Sequence, residues 1–301
     1  MTEKPSLAEA PAPDSGAGAP ASLHQYASTY GYSAAGTEGN LVREPVRGER
    51  RGGQGWIIVA GLVLPALLLV AWFLISALGL VPEYRLPAPQ SVWLAAVEFA
   101  ENGTLATHIA ISTQRVLLGF AAGSILGLAL GALVGLSKWG SAFLSPTIGA
   151  FRAVPSLAWV PLLVLYIGIN EDSKVTLIAI GALFPVYTTV AGALRHVDPH
   201  LVELGRAYGL GRLQLLTQVQ LPAVVPSIVS GLRLALAQAW LFLVAAELIA
   251  SSMGLGFLLV DSQNNGRVDR LFLTIILLGI LGKTTDALIG LLEKYLLKRW
   301  S

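Results

Sequence analysis

Six stretches of this chain are almost free of polar residues. Each is close to the roughly 20 residues a helix needs to cross a hydrocarbon layer. They run from about Trp56 to Leu80, Ile109 to Leu136, Ala142 to Gly168, Val175 to Leu194, Ala223 to Ala250 and Leu271 to Leu291. The pattern predicts an all-α, polytopic membrane protein with about six transmembrane helices. Two of the polar intervals carry a pattern of their own. Residues 81–108 hold Pro82, Pro87 and Pro89, then SVWLAAVEFAENG, in which Val92, Ala95, Ala96 and Phe99 fall at helical spacing. A short surface helix is expected there. The interval before the fifth span, VELGRAYGLGRLQLLTQVQLP, holds Glu203, Arg206 and Arg212 with three Gly and three Gln. Asp198 and Pro199 suit a helix cap and first helical position. Leu201, Leu204 and Tyr208 then share one face. Gly209 and Gly211 loosen or end that helix, a second short helix fits Leu213 to Gln218, and Leu221-Pro222 opens the next span. The apolar face either awaits a partner or lies on the membrane surface.

Composition supports the membrane reading. Of 301 residues 54% are hydrophobic and 13% charged, against about a quarter charged in soluble domains. A net charge of +2 is too small to point to nucleic acid. The absence of Cys excludes disulfides, thiol catalysis and Cys-type metal sites. The first apolar run begins too late, and is too long, for a cleaved signal peptide. Residues 1–52, rich in Ala, Pro, Ser and Gly, are expected to form a disordered tail. Residues 53–301 form the transmembrane domain. Arg43, Arg47, Arg50 and Arg51, just before the first span, mark topology or a lipid or partner site.

With the N-terminus inside, the inner loops collect those four Arg, Lys138, Arg195, Arg206, Arg212, Lys294, Lys298 and Arg299. The outer side collects only Arg85, Lys174, Arg267 and Arg270. The excess of inner positive charge predicts cytoplasmic termini and a cytoplasmic loop over 195–222.

Candidate chemistry lies inside the spans. Gly119, Gly123, Gly127, Gly131 and Gly135 recur at every fourth position, a spacing that lets another helix approach closely. Helix packing is the first reading, a direct substrate role the second. Pro146, Pro155 and Pro161 break or kink the third span, as a pathway element or for packing alone. Arg115, Arg152 and Arg233 fall within spans, where an unpaired charge is costly. They form either a cationic track for an anionic substrate or pairs with carbonyls, Glu247 or Asp286. Gln114, Gln238 and Trp240 are further candidates for the same cavity. Asn102-Gly103-Thr104 matches a glycosylation acceptor, a pattern of little specificity. No G-x-x-x-x-G-K-[ST] loop and no H-E-x-x-H occurs, and His24, His108, His196 and His200 lie in the tail or at span ends. No metal site is expected, and neither nucleophile–base nor paired-carboxylate sites are found in the spans.

The polar interval also carries a resemblance. Membrane subunits of type I ABC importers share a cytoplasmic signature, E-A-A, three residues, G, nine residues, I-x-L-P. Here Glu203-Leu204-Gly205, Gly209 and Val219-Gln220-Leu221-Pro222 keep that spacing, with Leu204, Gly205 and Val219 as departures. LPAPQSVW, HIAISTQRVLLGF, AVPSLAWVPLLVLYIGINEDSK, LFPVYTTVAGAL, LPAVVPSIVSGLRLALAQAWLFLVAAEL and GLGFLL resemble the alkanesulfonate, taurine and nitrate permease branch, the aliphatic sulfonate permeases most of all. Residues 1–52 resemble nothing in it.

The resemblance implies a MetI-like permease fold in a bacterial inner membrane. It implies a non-catalytic subunit working as a homodimer with two ATP-binding ABC ATPase subunits and an external substrate-binding protein. This chain would bind no cofactor; ATP and Mg would sit on the ATPase. Glu203, Leu204, Gly205, Ala207, Tyr208, Gly209, Leu221 and Pro222 would couple to it, with Glu203 satisfying the turn near Gly209. The cargo would be a small anion such as an aliphatic sulfonate, or alternatively taurine, nitrate or bicarbonate. An ion-coupled carrier competes with this, but needs mid-membrane carboxylates and usually inverted repeats. Glu247 lies near the outer end of its span, and no convincing repeat is visible. An intramembrane enzyme is disfavoured by the missing catalytic residues.

Overall fold

The computed structural model describes residues 54–300, with a two-residue antiparallel pair, β1 (Tyr32–Ser33) and β2 (Val42–Arg43), before them. The expected tail over 1–52 and the boundary after it otherwise lie outside the described residues. A first compact unit ends at Leu67, within α1 (Gln54–Ala77); Leu68–Ser301 forms the second. The helices that follow are α2 (Pro89–Glu101), α3 (Thr104–Leu136), α4 (Lys138–Ala153), α5 (Val160–Ile167), α6 (Glu171–Arg195), α7 (Pro199–Ala207), α8 (Arg212–Leu215), α9 (Leu221–Ala250), α10 (Leu255–Asn264) and α11 (Val268–Trp300).

Among the described residues, α3, α6, the run from Arg212 to Ile249 and α11 are each long and apolar enough to cross a membrane. α1, of 24 residues, carries the apolar run that begins at Trp56 and has the length of a further span. The third expected span is not one helix. It divides into α4 and the pair formed by a 3₁₀ turn (Ser156–Trp159) with α5, bent by 86°. The three prolines differ in effect. Pro155 forces the preceding Val154 out of the helical region, to φ −73° and ψ 125°. Pro161 falls in the first turn of α5, where no amide is needed, and Pro146 is carried inside α4.

The centre of the second unit is the pairing of α3 with α6. A Cβ added at Gly127 would lie 2.8 Å from the Leu183 carbonyl oxygen. At Gly131 and Gly135 it would lie 2.8 Å from the Cβ atoms of Val190 and Leu194. Gly119 meets Ile178 and Gly123 meets the Ala179 carbonyl in the same way. The stripe lets the backbones approach so closely that dispersion contacts accumulate along the helix, where lipid supplies no hydrophobic drive. On its other side α6 receives α9: the Phe242 ring fills the space left by Gly181, and Thr189 fits against Gly231. Ile178, Ala182, Val186, Ala235, Ala239 and Leu243 are fully buried there.

The helix expected in 81–108 is α2, and its apolar side is covered rather than laid on a surface. Val92, Ala95 and Phe99 pack with Leu255, Leu258 and Leu273 of α10 and α11. Arg270 and Arg267 of the α10–α11 corner bind Glu98 at 2.6 and 3.1 Å. Asn102 caps α2, and Gly103, at φ +68°, turns the chain into α3.

The second short helix of the polar interval does not end before the fifth span. After α8 the chain widens into a π segment, Leu216–Gln220, and runs on into α9. The Leu221 amide bonds the Leu216 carbonyl, one residue further back than in an α-helix. Pro222 supplies the reason: its ring has no amide and crowds the carbonyl four residues earlier, and the wider turn accommodates both.

Candidate functional site

Of the residues expected to couple, Glu203, Leu204, Ala207, Tyr208 and Gly209 are exposed on α7 and the turn that follows it, and Gly205 is buried. Asp198 caps α7, its side chain accepting from the His200 amide at 2.9 Å, with Pro199 in the first turn. At the far end the Tyr208 amide bonds Leu204 O, Gly209 bonds Arg206 O and Leu210 bonds Gly205 O, at 2.9–3.1 Å. Gly209 sits at φ +77°, where a side chain is strained. Backbone amides therefore close this turn. Glu203 is exposed and, among the described residues, its side chain makes no hydrogen bond to it. Gly205 is buried against Leu215, so α7 lies directly on α8. This accounts for one departure from the family pattern, because Leu215 occupies the space a Cβ at Gly205 would take. Leu201, Leu204 and Tyr208 remain exposed on one face, Tyr208 by 80%. Ala207 is exposed beside them, and Leu221 and Pro222 are half-buried where α9 begins.

The three intramembrane arginines each join a different set of helices. Arg115, on α3, is almost fully buried. Its Nε and Nη2 both donate to Glu171 of α6, and its Nη1 to Glu247 of α9, each at 2.6 Å. Nη1 also reaches the Met253 carbonyl at 2.7 Å. Lys174 adds a second cation on Glu171 at 2.9 Å, so two cations meet two carboxylates. The Glu247 carboxylate, which has no exposed surface, further accepts from Ser112 Oγ at 2.8 Å and the Gly256 amide at 2.7 Å. The Leu255 amide donates to Ser112 Oγ, and the Gly254 amide to His108 Nδ1. The amide end of α10 is thus wrapped around a carboxylate, the charge a helix N-terminus favours. Gly254 and Gly256 make room for it, since a side chain on either would collide with Glu247.

Arg233, on α9, binds Asp286 of α11 with two bonds of 2.8 and 2.9 Å, and Glu293 at 3.3 Å. Trp240 is buried at the same helix pair, donating to Thr285 Oγ1 at 2.9 Å. Arg152 differs. It ends α4 at the 86° break, is exposed, and donates to the neutral Thr188 Oγ1 of α6 at 3.1 Å. Nearby, Trp159 stacks on Phe151, and its indole N–H is buried without a hydrogen-bond partner among the described residues. Gln114 is exposed and borders an apolar groove with Thr113 and Leu117. Gln238 is half-buried on α9.

The sequence reading missed Glu171, Ser112 and His108 as members of the Arg115 cluster. A signal was present: His108, Ser112 and Arg115 fall at i, i+4 and i+7, a polar stripe on one face of an apolar helix. Among the described residues no cluster of His, Asp or Glu has the arrangement of a metal site.

Comparison with known proteins gives this architecture its relatives. The chain is 41% identical over 244 residues to an aliphatic sulfonates transport permease protein, SsuC, of Bacillus subtilis (strain 168), covering 81% of this chain and 88% of the relative. It is 41% identical over 247 residues to the SsuC of Escherichia coli (strain K12), covering 82% and 94%. The taurine transport system permease protein TauC of the same organism is 34% identical over 198 residues, covering 64% and 72%. In fold the chain is similar to the MetNI methionine ABC transporter in an inward-facing form, at TM-score 0.55 and 20% identity, covering 66% of this chain and 96% of that one. The family profile of the binding-protein-dependent transport system inner membrane component matches residues 123–298. With spans and relatives in agreement, the chain belongs to that family of multi-pass ABC transporter permease subunits.

Proposed function

We propose that this chain is the membrane-spanning subunit of an ATP-driven importer that carries a small sulfonate-type anion into the cytoplasm. The observation that carries the reading is the exposed face of Leu201, Leu204 and Tyr208 on α7, closed off by the Gly209 turn. An apolar ridge of this kind on a surface helix calls for a partner groove. In this reading the groove belongs to a separate ATPase subunit, which binds ATP and Mg. Two copies of the chain and two ATPase subunits form the complex, and an external binding protein delivers the cargo. Both termini and α7 lie in the cytoplasm, as the excess of Lys and Arg on that side favours. ATP binding shifts the permease between its two orientations by favouring one docked geometry over the other.

The sulfonate assignment rests on likeness to the sulfonate permeases and on Arg152. Arg115 and Arg233 are matched by carboxylates, and Arg152 is held only by a hydroxyl. In a water-excluded pathway such a cation supplies the counter-charge for an oxyanion. The test is ATP hydrolysis by the reconstituted complex with its binding protein, against alkanesulfonates, taurine, nitrate and bicarbonate. Stimulation by an alkanesulfonate is expected. Stimulation by nitrate or bicarbonate alone overturns the cargo, and transport that needs an ion gradient but no ATPase overturns the importer.

A further inference from the structure

A cleft of about 870 Å³ opens where α3 and α6 end, α4 begins and α7 passes by. Lys138 of α4, Arg195 of α6 and Arg206 of α7 line it, with Glu203 as the one carboxylate among its lining residues. Among the described residues none of the three cations has an acidic partner within ion-pair distance. Arg195 is positioned by hydroxyls instead: its Nη2 donates to Ser141 Oγ at 2.6 Å and Ser145 Oγ at 3.0 Å. As the last residue of α6 it also suits the negative end of that helix. Lys138 has no such explanation. It stands in the first turn of α4, where the helix dipole opposes a cation.

The lining is amphiphilic. Val134, Leu136 and Leu194 add an apolar part to the lining; Leu136 is exposed, and the other two are buried. Beside the cleft, on the first turns of α4, Trp139 and Phe143 stack at 5.9 Å and are 74% and 70% exposed. Exposed aromatic rings at the end of a span mark the level of lipid headgroups. Basic pockets between span ends at that level fit acidic headgroups.

We infer that this cleft seats the headgroup of an anionic phospholipid from the leaflet on the α7 side, the inner one under the orientation proposed above. The phosphate is held between Lys138, Arg195 and Arg206, and the start of the acyl chains lies along Leu136, the exposed apolar residue of the lining. Because Arg206 belongs to the coupling helix and Lys138 to α4, the lipid ties α7 to the membrane end of the bundle. Acidic lipid then stiffens the element that receives force from the ATPase.

The experiment is native mass spectrometry of the purified full-length chain with phosphatidylglycerol or phosphatidylcholine. Neither ATP nor cargo is present, so the result is independent of the transport reading. Wild type is expected to retain phosphatidylglycerol in preference to phosphatidylcholine. The double variant Lys138→Gln with Arg206→Gln should lose roughly tenfold in retention, from two cations removed at a charged surface. Both residues are exposed, so the fold is kept, and an unchanged size-exclusion profile verifies this. Glu203→Gln should raise retention by roughly a few-fold, because it removes the opposing charge. Equal retention by wild type and double variant overturns the proposal. So does complete displacement of the lipid by inorganic phosphate, which leaves a bare ion site. Unchanged lipid retention with lost binding of the ATPase subunit also overturns it, assigning the cations to protein docking.

Discussion

Arg115 and Arg152 both reach for α6, and they do so in opposite ways. Arg115 is sunk between α3, α6 and α9 and meets two carboxylates, a hydroxyl and a carbonyl. Arg152 stands at the exposed end of a broken helix and meets one threonine. The first arrangement spends its charge inside the protein, joining three helices and the start of α10. The second leaves its charge available. An intramembrane arginine is therefore no sign of an anion path by itself; the partner decides. The same contrast runs through the backbone. The α3–α6 seam is closed at every fourth residue, whereas the α4–α5 bend and the α7 turn are open and held by few contacts.

The sharpest way to break the comparison is Arg115→Ala. It leaves Glu247 buried without a counter-charge, which costs about 3–5 kcal/mol. The thermal midpoint in detergent should fall far, or the chain should fail to accumulate. Arg115→Lys should rescue little, because one ammonium does not reproduce the fork that serves Glu171 and Glu247 together. A wild-type midpoint for Arg115→Ala would mean that the cluster is not the lock it resembles. Next in size is the seam. Gly131→Leu drives a side chain into Val190 and the Tyr187 carbonyl. Overpacking of this kind costs about 1–3 kcal/mol, read in the same melting experiment.

At the open end the expected changes in stability are smaller and those in function larger. Gly209→Ala meets no atom within 4 Å, so its cost is that of the left-handed backbone, about 1–2 kcal/mol, confined to the turn. Cargo-stimulated ATP hydrolysis should fall while basal folding holds; unchanged stimulation would remove the turn from coupling. Arg152→Gln should melt within about 0.5 kcal/mol of wild type, as exposed substitutions do. Its sulfonate uptake should fall by roughly tenfold or more, the worth of one charge-assisted contact. If uptake survives, the distinction between spent and available charge does not mark the pathway.

Much of this was legible in the residues because the signals are local. The glycine period announces a seam, and Asp198-Pro199 with Gly209 announces α7 and the turn that ends it. The rest depends on distant partners or on small backbone adjustments. Pro146, Pro155 and Pro161 look alike in the sequence, yet only Pro155 breaks the helix: Pro161 falls in a first turn, where a missing amide is tolerated, and Pro146 is carried inside α4 at the loss of one hydrogen bond. Pro222 reads as the start of a span, but the π segment before it absorbs the ring and lets α8 run through. Glu171 is hidden as a partner of Arg115 because the apolar run begins only at Val175, whereas α6 starts at Glu171 itself and brings its carboxylate to α3.

The smallest expected effect is also the most informative about the packing of α7 on α8. Gly205→Ala restores the residue type the family signature carries at this position. Its new methyl would lie 2.6 Å from Leu215 Cδ1, the far end of a flexible side chain, and at ordinary distance from Val219 and Leu210. Leu215 can rotate away, which costs part of its packing. Against this stands the helix preference of Ala over Gly, about 1 kcal/mol. The two terms nearly cancel, so the melting midpoint and the cargo-stimulated ATP hydrolysis should both stay near wild type. A large loss of coupling at unchanged stability would sharpen the comparison in an unexpected direction. It would mean that the distance between α7 and α8 is as closely set as that between α3 and α6, and that the glycine here is fixed by force transmission rather than by the room Leu215 happens to take.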